Sequence, residues 1–503
     1  MSGPEEDLLM RIIPALFCLA FMPVAAQAQA LNVPWSSFGH DPQHTGISTF
    51  ASQPLQRIRW QTPVDLSPQF SGNDLHIHYA SPMVTAANTV LMAVKTGAAD
   101  GFRMEARRGS DGALLYTLAT DYTLPPHGWI PSFSATLSAR NRLYYAGAGG
   151  TVYYRDSPDA VAGASGQIAF YGNANYAANL AAFNNNVKIS TPITSDRVGN
   201  IFFGYTVLGP NPLNLESGIA KITYNGIGSF VTAKAAAGGD AGIDHVSTNC
   251  APALSNDHRK LYYGVSAGSL SAGYLVSVDS RTLAPIARVR LKDPLSGNDA
   301  SLSSDGTSSP TVGPDGDVYF GVLENPLFSN RFRGWLLHYD STLTQTKIPG
   351  GFGWDDTPSV VPAKLVPSYS GTSAYLLLSK YNNYASAGGD GINKLAILDP
   401  NVAAVDPVSG ATVMKEILTI AGVTPDPILP AVREWCINTA AIDPFTKSAL
   451  VNNEDGKLYR WDFATNTLIQ PVTLTAGVGE AYTPTIVGVD GTVYAITTPF
   501  SSR

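Results

Sequence analysis

Cysteine is nearly absent from this chain: Cys18, Cys250 and Cys436 are the only three in 503 residues. That excludes a disulfide framework. Spacing alone leaves Cys250 and Cys436 open between one bridge and two buried thiols. Charge is also sparse, at 14% of residues with a net charge of −7. With no basic stripe, nucleic acid is excluded as a partner. Beyond the N-terminus no apolar run is long enough to span a membrane. The phosphate-binding and dinucleotide fingerprints are missing, as are the haem Cys-x-x-Cys-His and the Gly-x-Ser-x-Gly elbow. What remains abundant is Gly, Ser, Thr, Asn and Tyr, with 44% hydrophobic residues, a composition suited to an exported all-β protein.

The N-terminus reads as an export signal. From Met10 a single Arg11 precedes the apolar run Ile12 to Ala26, followed by small residues around Ala28 and Ala30. Residues 1–30 are assigned to this signal, with Met10 as the natural start, because the acidic leader Glu5, Glu6, Asp7 does not suit one. Phe17 before Cys18 is too large for a lipoprotein site. A periplasmic or secreted location follows.

The rest of the chain repeats itself. Ser309-Pro310-Thr311-Val312, a turn at Asp315-Gly316 and Val318-Tyr319-Phe320-Gly321 read as strand, tight turn, strand. Thr483-Pro484-Thr485-Ile486-Val487 with Asp490-Gly491 and Val493-Tyr494 repeats the pattern. Further copies begin near Ser81, Ser134, Thr191, Cys250, Thr357 and Thr439. A period of about 50 residues with four short strands per unit indicates a β-propeller. Eight copies predict eight blades, with seven as the alternative, in one domain over residues 31–503. The last unit is short of strands, and Gln56–Thr62 reads as an orphan strand that would complete it and cover its open edge.

Trp35-Ser36-Ser37-Phe38-Gly39-His40-Asp41-Pro42-Gln43-His44-Thr45-Gly46 and the repeated Ser/Thr-Pro hairpin resemble the pyrroloquinoline-quinone (PQQ)-type, quinoprotein-like propellers. The resemblance covers essentially all of residues 31–503. It implies the propeller fold and, in that family, either quinone-dependent dehydrogenases or cofactor-free scaffolds such as the lipoprotein assisting outer-membrane assembly. PQQ with calcium is the cofactor it would bring. Departures argue against that cofactor. The family's Ala-x-Asp-x-x-Thr-Gly-x-x-x-Trp motif has drifted at Ala106–Tyr116, around Asp279 and around Asp462, and there is no adjacent cysteine pair.

Propeller geometry places the tight turns on one face and the long loops on the other. Long loops on a rigid scaffold mark a binding face. The residues leading into the innermost strands are the candidates: His76, His78, His127, Trp129, Asp244, His245, Trp354, Asp355, Asp356, Arg433, Glu434, Trp435, Glu480 and Tyr482. Carboxylates, imidazoles and indoles around one rim suit a small polar ligand, a glycan, a metal or acid–base chemistry. Each has a plainer alternative: solvated histidines, Asx turns at Asp355-Asp356, tryptophans packed between blades. The function expected is binding or scaffolding by a monomer, with a small polar ligand, glycan or protein partner. The rivals are an enzyme using the rim, as a quinoprotein oxidoreductase or a carbohydrate-active lyase or hydrolase, and a scaffold using blade edges.

Overall fold

A computed structural model describes residues 1, 34–71, 74–76, 80–97, 100–127, 133–268, 270–302, 308–476, 479–480 and 484–499. Residues 2–30 of the expected export signal lie outside these residues. Seven antiparallel sheets of three or more strands form the blades of a β-propeller. Blade 1 runs Met83–Val84, Thr89–Lys95, Phe102–Arg108, Leu114–Thr120, from inside to outside. Blade 2 is Thr136–Leu137, Arg142–Ala146, Thr151–Asp156, Ser165–Ala169. Blades 3 and 4 have broken innermost strands, Val187–Ile189 with Thr194–Ser195 and His245–Val246 with Ala253–Leu254. Blade 5 begins at Thr311–Val312, blade 6 at Ser359–Pro362 and blade 7 at Ala441–Asp443.

The second strands are nearly continuous apolar runs because both of their faces are buried. In Lys260–Ser266, Leu261, Tyr263 and Val265 pack toward blade 3, while the alternate Tyr262 packs toward blade 5. Hydroxyls in and just after the Ser/Thr-Pro motif find partners in neighbouring blades. Thr194, Thr311 and Ser359 donate to the carbonyls of Pro252, Pro358 and Ala440 in the next blade, at 2.7, 3.1 and 2.8 Å. Ser309 Oγ and Thr357 Oγ1 accept the backbone N–H groups of Ala251 and Ser309. These hydroxyls tie blade to blade.

The family-like stretch at Trp35–Ser48 crosses the propeller axis. Its carbonyls accept from the innermost strands of six blades in turn: Trp35 from Val84, Ser36 from Leu137, Pro42 from Leu254, Gln43 from Val312, Thr45 from Val360 and Gly46 from Ile442, all at 2.7–2.9 Å. Those N–H groups face the axis, where no further strand can pair with them, so the segment satisfies them. Left-handed residues at Gly39, His40, His44 and Gly46 let it wind around the ring. His44 is 1% exposed, and its Nδ1–H donates to the Pro310 carbonyl at 2.7 Å. Burial lowers its pKa to about 4, which keeps the ring neutral. Nothing in the sequence pattern pointed to a plug.

The count is seven, the alternative, rather than eight. Among the described residues the eighth unit contributes two short strand pairs, the hairpin Ile486–Val487 with Val493–Tyr494, wedged between blades 7 and 1, and Gly479–Glu480 with Thr498–Pro499. Gln56–Thr62 lies against it but forms no ladder with it. The contacts come from side chains, Arg59 to Thr492 at 2.8 Å and Trp60 against Tyr494 at 5.6 Å. A cavity of about 710 Å³ separates the two segments. Backbone direction supplies the reason. Gln53 N–H donates to Gly491 and Lys95 N–H to Val64, so the segment runs the same way as Val493–Tyr494. Antiparallel ladders require a reversed strand between two parallel ones, and none is present there among the described residues.

Candidate functional site

The described candidate residues fall into two sectors. In the first, the ring of His76 meets that of His127 edge-on at 5.7 Å. His127 Nδ1 lies 2.9 Å from the Pro125 carbonyl. The neighbouring Pro125 and Pro126 form one wall of a cleft of about 820 Å³. Its other walls are the loop Thr206–Gly209, the stretch Leu215–Ser217 and residues 241–248, so blades 2, 3 and 4 all contribute. Asp244 and His245 line it, with His245 Nδ1 paired to Asp244 Oδ1. Glu216, Lys234 and Thr248 complete the polar lining, while Pro125, Pro126, Leu208, Leu215 and Ile243 give it an apolar floor. The innermost strands of blades 3 and 4 are interrupted over residues 190–193 and 247–252, and Thr248 of the second interruption lines the cleft.

The second sector lies where blades 5, 6 and 7 begin. Trp354 packs edge-on against Phe332 at 5.3 Å. Asp355 pairs with Lys380 Nζ at 3.5 Å, both buried. Asp356, 1% exposed, accepts from Ser379 Oγ at 2.6 Å. Burial pushes its carboxyl up to about 7. Burial works against the Lys380 ammonium, but Asp355, Cys436, Asp356 and Glu434 outweigh it and hold its pKa above the ordinary value. Glu434 is pushed up to about 8 by burial and by the neighbouring Glu454 carboxylate. Cys436 Sγ–H donates to Glu454 Oε1 at 2.8 Å. Arg433 is committed to Asp426 at 3.1 Å.

Trp435 is fully buried between blades 6 and 7, as the packing alternative held. Asn382 clamps its peptide from both sides, accepting from the N–H at 3.2 Å and donating to the carbonyl at 3.1 Å. His78, Trp129 and Tyr482 lie outside the described residues, as does the side chain of Glu480. Cys250 and Cys436 are buried and not bridged to each other. Sequence reading missed Lys380 and Glu454. Lys380 had a signal, as the lone cation in the apolar run Tyr375–Tyr381, where a buried amine needs a carboxylate nearby.

No family model matches the chain, and no curated protein matches it in sequence. Among solved structures it is similar to a europium-containing methanol dehydrogenase, with TM-score 0.55 and 8% identity over 92% of this chain and 89% of that one. It is also similar to quinohemoprotein alcohol dehydrogenase from Comamonas testosteroni, with TM-score 0.47 and 11% identity over 92% and 78% of the two chains. BamB from Moraxella catarrhalis follows, with TM-score 0.34 and 13% identity over 90% and 97%. At these identities the likeness shows the fold, a β-propeller, and the first structure carries it.

The PQQ group suggested by the family resemblance does not fit these residues. It is a planar tricarboxylate and needs unpaired cations, whereas Lys380 and Arg433 are already bound by Asp355 and Asp426. The described cysteines are separate thiols at the starts of blades 4 and 7 rather than an adjacent pair. No step is derived through that group.

Proposed function

We propose that the protein is an exported propeller, periplasmic or secreted, that binds a small polar ligand of glycan type on its loop-rich side. The observation that carries this is the cleft of about 820 Å³ containing Asp244 and His245. Its volume lies within the range of about 300–1,000 Å³ usual for small-molecule sites. Glu216 and Asp244 accept hydrogen bonds, Lys234 donates them, and the proline and aliphatic floor suits the C–H face of a sugar ring. Among the described residues no helix is long and apolar enough to cross a membrane. The test is calorimetric titration of the purified protein with a panel of oligosaccharides. Binding should weaken by about tenfold or more in His245→Ala and Glu216→Ala, about 1.4 kcal/mol or more each. If no oligosaccharide binds, or both variants bind as well as the parent, the reading fails.

A second reading, a carbohydrate-active hydrolase or lyase, draws on the carboxyls of Asp356 and Glu434. Burial keeps much of each protonated near neutral pH, as a general acid requires. Release of new reducing ends from a glycan, lost in Glu434→Gln, supports it. Binding without turnover excludes it.

A further inference from the structure

Glu434, Cys436 and Glu454 offer one donor atom each within 4.8 Å of one another. We propose that these three side chains form a site for a single divalent cation of the zinc type, independent of the ligand cleft. The first two come from the extended stretch leading into blade 7, and the third from the turn after its second strand, Ser448–Asn452. The backbone holds these segments together, since Glu454 N–H donates to the Glu434 carbonyl at 3.2 Å. Asn382 fixes the intervening Trp435 peptide on both sides, so the spacing of Glu434 and Cys436 is set before any ion arrives.

Geometry and donor type favour zinc over calcium or magnesium. Trp435 and Ile437 pack between blades 6 and 7, and Cys436 packs on the opposite side of the stretch. The alternation sets Glu434 with Cys436. A thiolate with carboxylate oxygens is a zinc donor set, whereas calcium and magnesium take oxygen alone. Metal–ligand bonds of about 2.0–2.3 Å bring tetrahedral donors to about 3.3–3.8 Å apart. The present spread of 4.8 Å closes to that by side-chain rotation. Glu434 and Glu454 are only partly buried, which gives the ion a path in.

Charge points the same way. Around Lys380 stand Asp355, Asp356, Glu434 and Cys436, with Glu454 beside Glu434, while Arg433 is already paired with Asp426. A divalent ion takes the place of the proton that the Cys436 thiol donates to Glu454, so binding releases it.

The experiment uses the whole exported chain, stripped with chelator, and titrated with Zn²⁺ by calorimetry and with Co²⁺ by absorption. One equivalent should bind, with a thiolate-to-cobalt charge-transfer band and a proton released into buffer. Cys436→Ser should abolish the band and weaken Zn²⁺ by about tenfold or more. Glu434→Gln, at a partly exposed position that leaves folding intact by circular dichroism, should weaken Zn²⁺ comparably while keeping a thiolate band. Cys250→Ser should change neither. No Zn²⁺ binding, a cobalt spectrum without the thiolate band, or unchanged affinity in Cys436→Ser and Glu434→Gln overturns the proposal. Loss of oligosaccharide binding in His245→Ala leaves it untouched, so the two sites are judged separately.

Discussion

Gly46→Ala tests whether the plug at Trp35–Ser48 holds the ring together. Gly46 has φ +67°, and an added Cβ would lie 2.7 Å from the Ala440 carbonyl oxygen and 2.9 Å from Ser359 Oγ. Those two atoms are bonded to each other at 2.8 Å, the link between blades 6 and 7. The left-handed backbone alone costs alanine about 1–2 kcal/mol. Wedging a methyl against a backbone carbonyl that cannot turn away adds about 1–3 kcal/mol. The expected loss is therefore about 2–5 kcal/mol. Gly410→Ala is the control, because Gly410 has φ +74° and nothing within 4 Å of its added Cβ. It bears the backbone cost and no wedge. Urea unfolding of the parent and both variants at neutral pH gives the three midpoints. Gly46→Ala should lie well below Gly410→Ala, and coincident midpoints would refute the plug's part in joining the blades.

The remaining predictions concern charge and thiols. Arg333 and Asp406 form a pair at 2.9 Å with both side chains 1% exposed. Asp406→Asn leaves a buried guanidinium without its counter-ion and should cost about 3–5 kcal/mol by denaturant unfolding. An unchanged midpoint would show that water reaches the pair. Asp356 has a folded pKa of about 7 against 3.8 for the free carboxyl, so the folded state holds the extra proton and stability falls as pH rises between those values. The loss is of order 4 kcal/mol at most. Asp356→Asn should flatten that fall and leave stability below pH 4 nearly unchanged, and parallel pH profiles for parent and variant would contradict it. Burial raises the Cys250 thiol to about 12, so it should resist thiol reagents until the chain is unfolded. Reductant should leave the melting temperature unchanged, since Cys250 and Cys436 are not bridged.

The propeller was legible because its physics is local and repeated. Alternating apolar strands and Asp-Gly turns such as Asp315-Gly316 announce each hairpin whatever the neighbouring blades do. The eighth blade was over-read for the same reason. Thr483–Tyr494 has the hairpin's residues, but strands beyond it require partners that pattern alone does not supply. The plug escaped notice because its bonds run through backbone carbonyls of Trp35, Pro42 and Thr45, which no side-chain pattern reports. At the rim, sequence gave the neighbourhoods of Asp244, His245, Asp355 and Glu434 but not the partners. Lys380 and Glu454 come from the ends of second strands, and only the fold brings them beside residues that lead into first strands.

The repeated residues and the chemical ones occupy different positions for a physical reason. Hydroxyls just after the Ser/Thr-Pro step bond the next blade, as Thr311 to Pro358 and Ser359 to Ala440 show. A hydroxyl so engaged has already given its one proton to the neighbouring blade, and replacing it would remove that link. Chemistry is therefore confined to positions that vary from blade to blade, just before the shared motif. There Asp244-His245 in blade 4 and Glu434 with Cys436 in blade 7 face different neighbours and carry different charge. A ring symmetric in its hydrogen bonds can thus hold two unlike sites. It follows that drift in the shared motif should change stability before function, and that exchanging the loops before two blades should move a site without unfolding the ring.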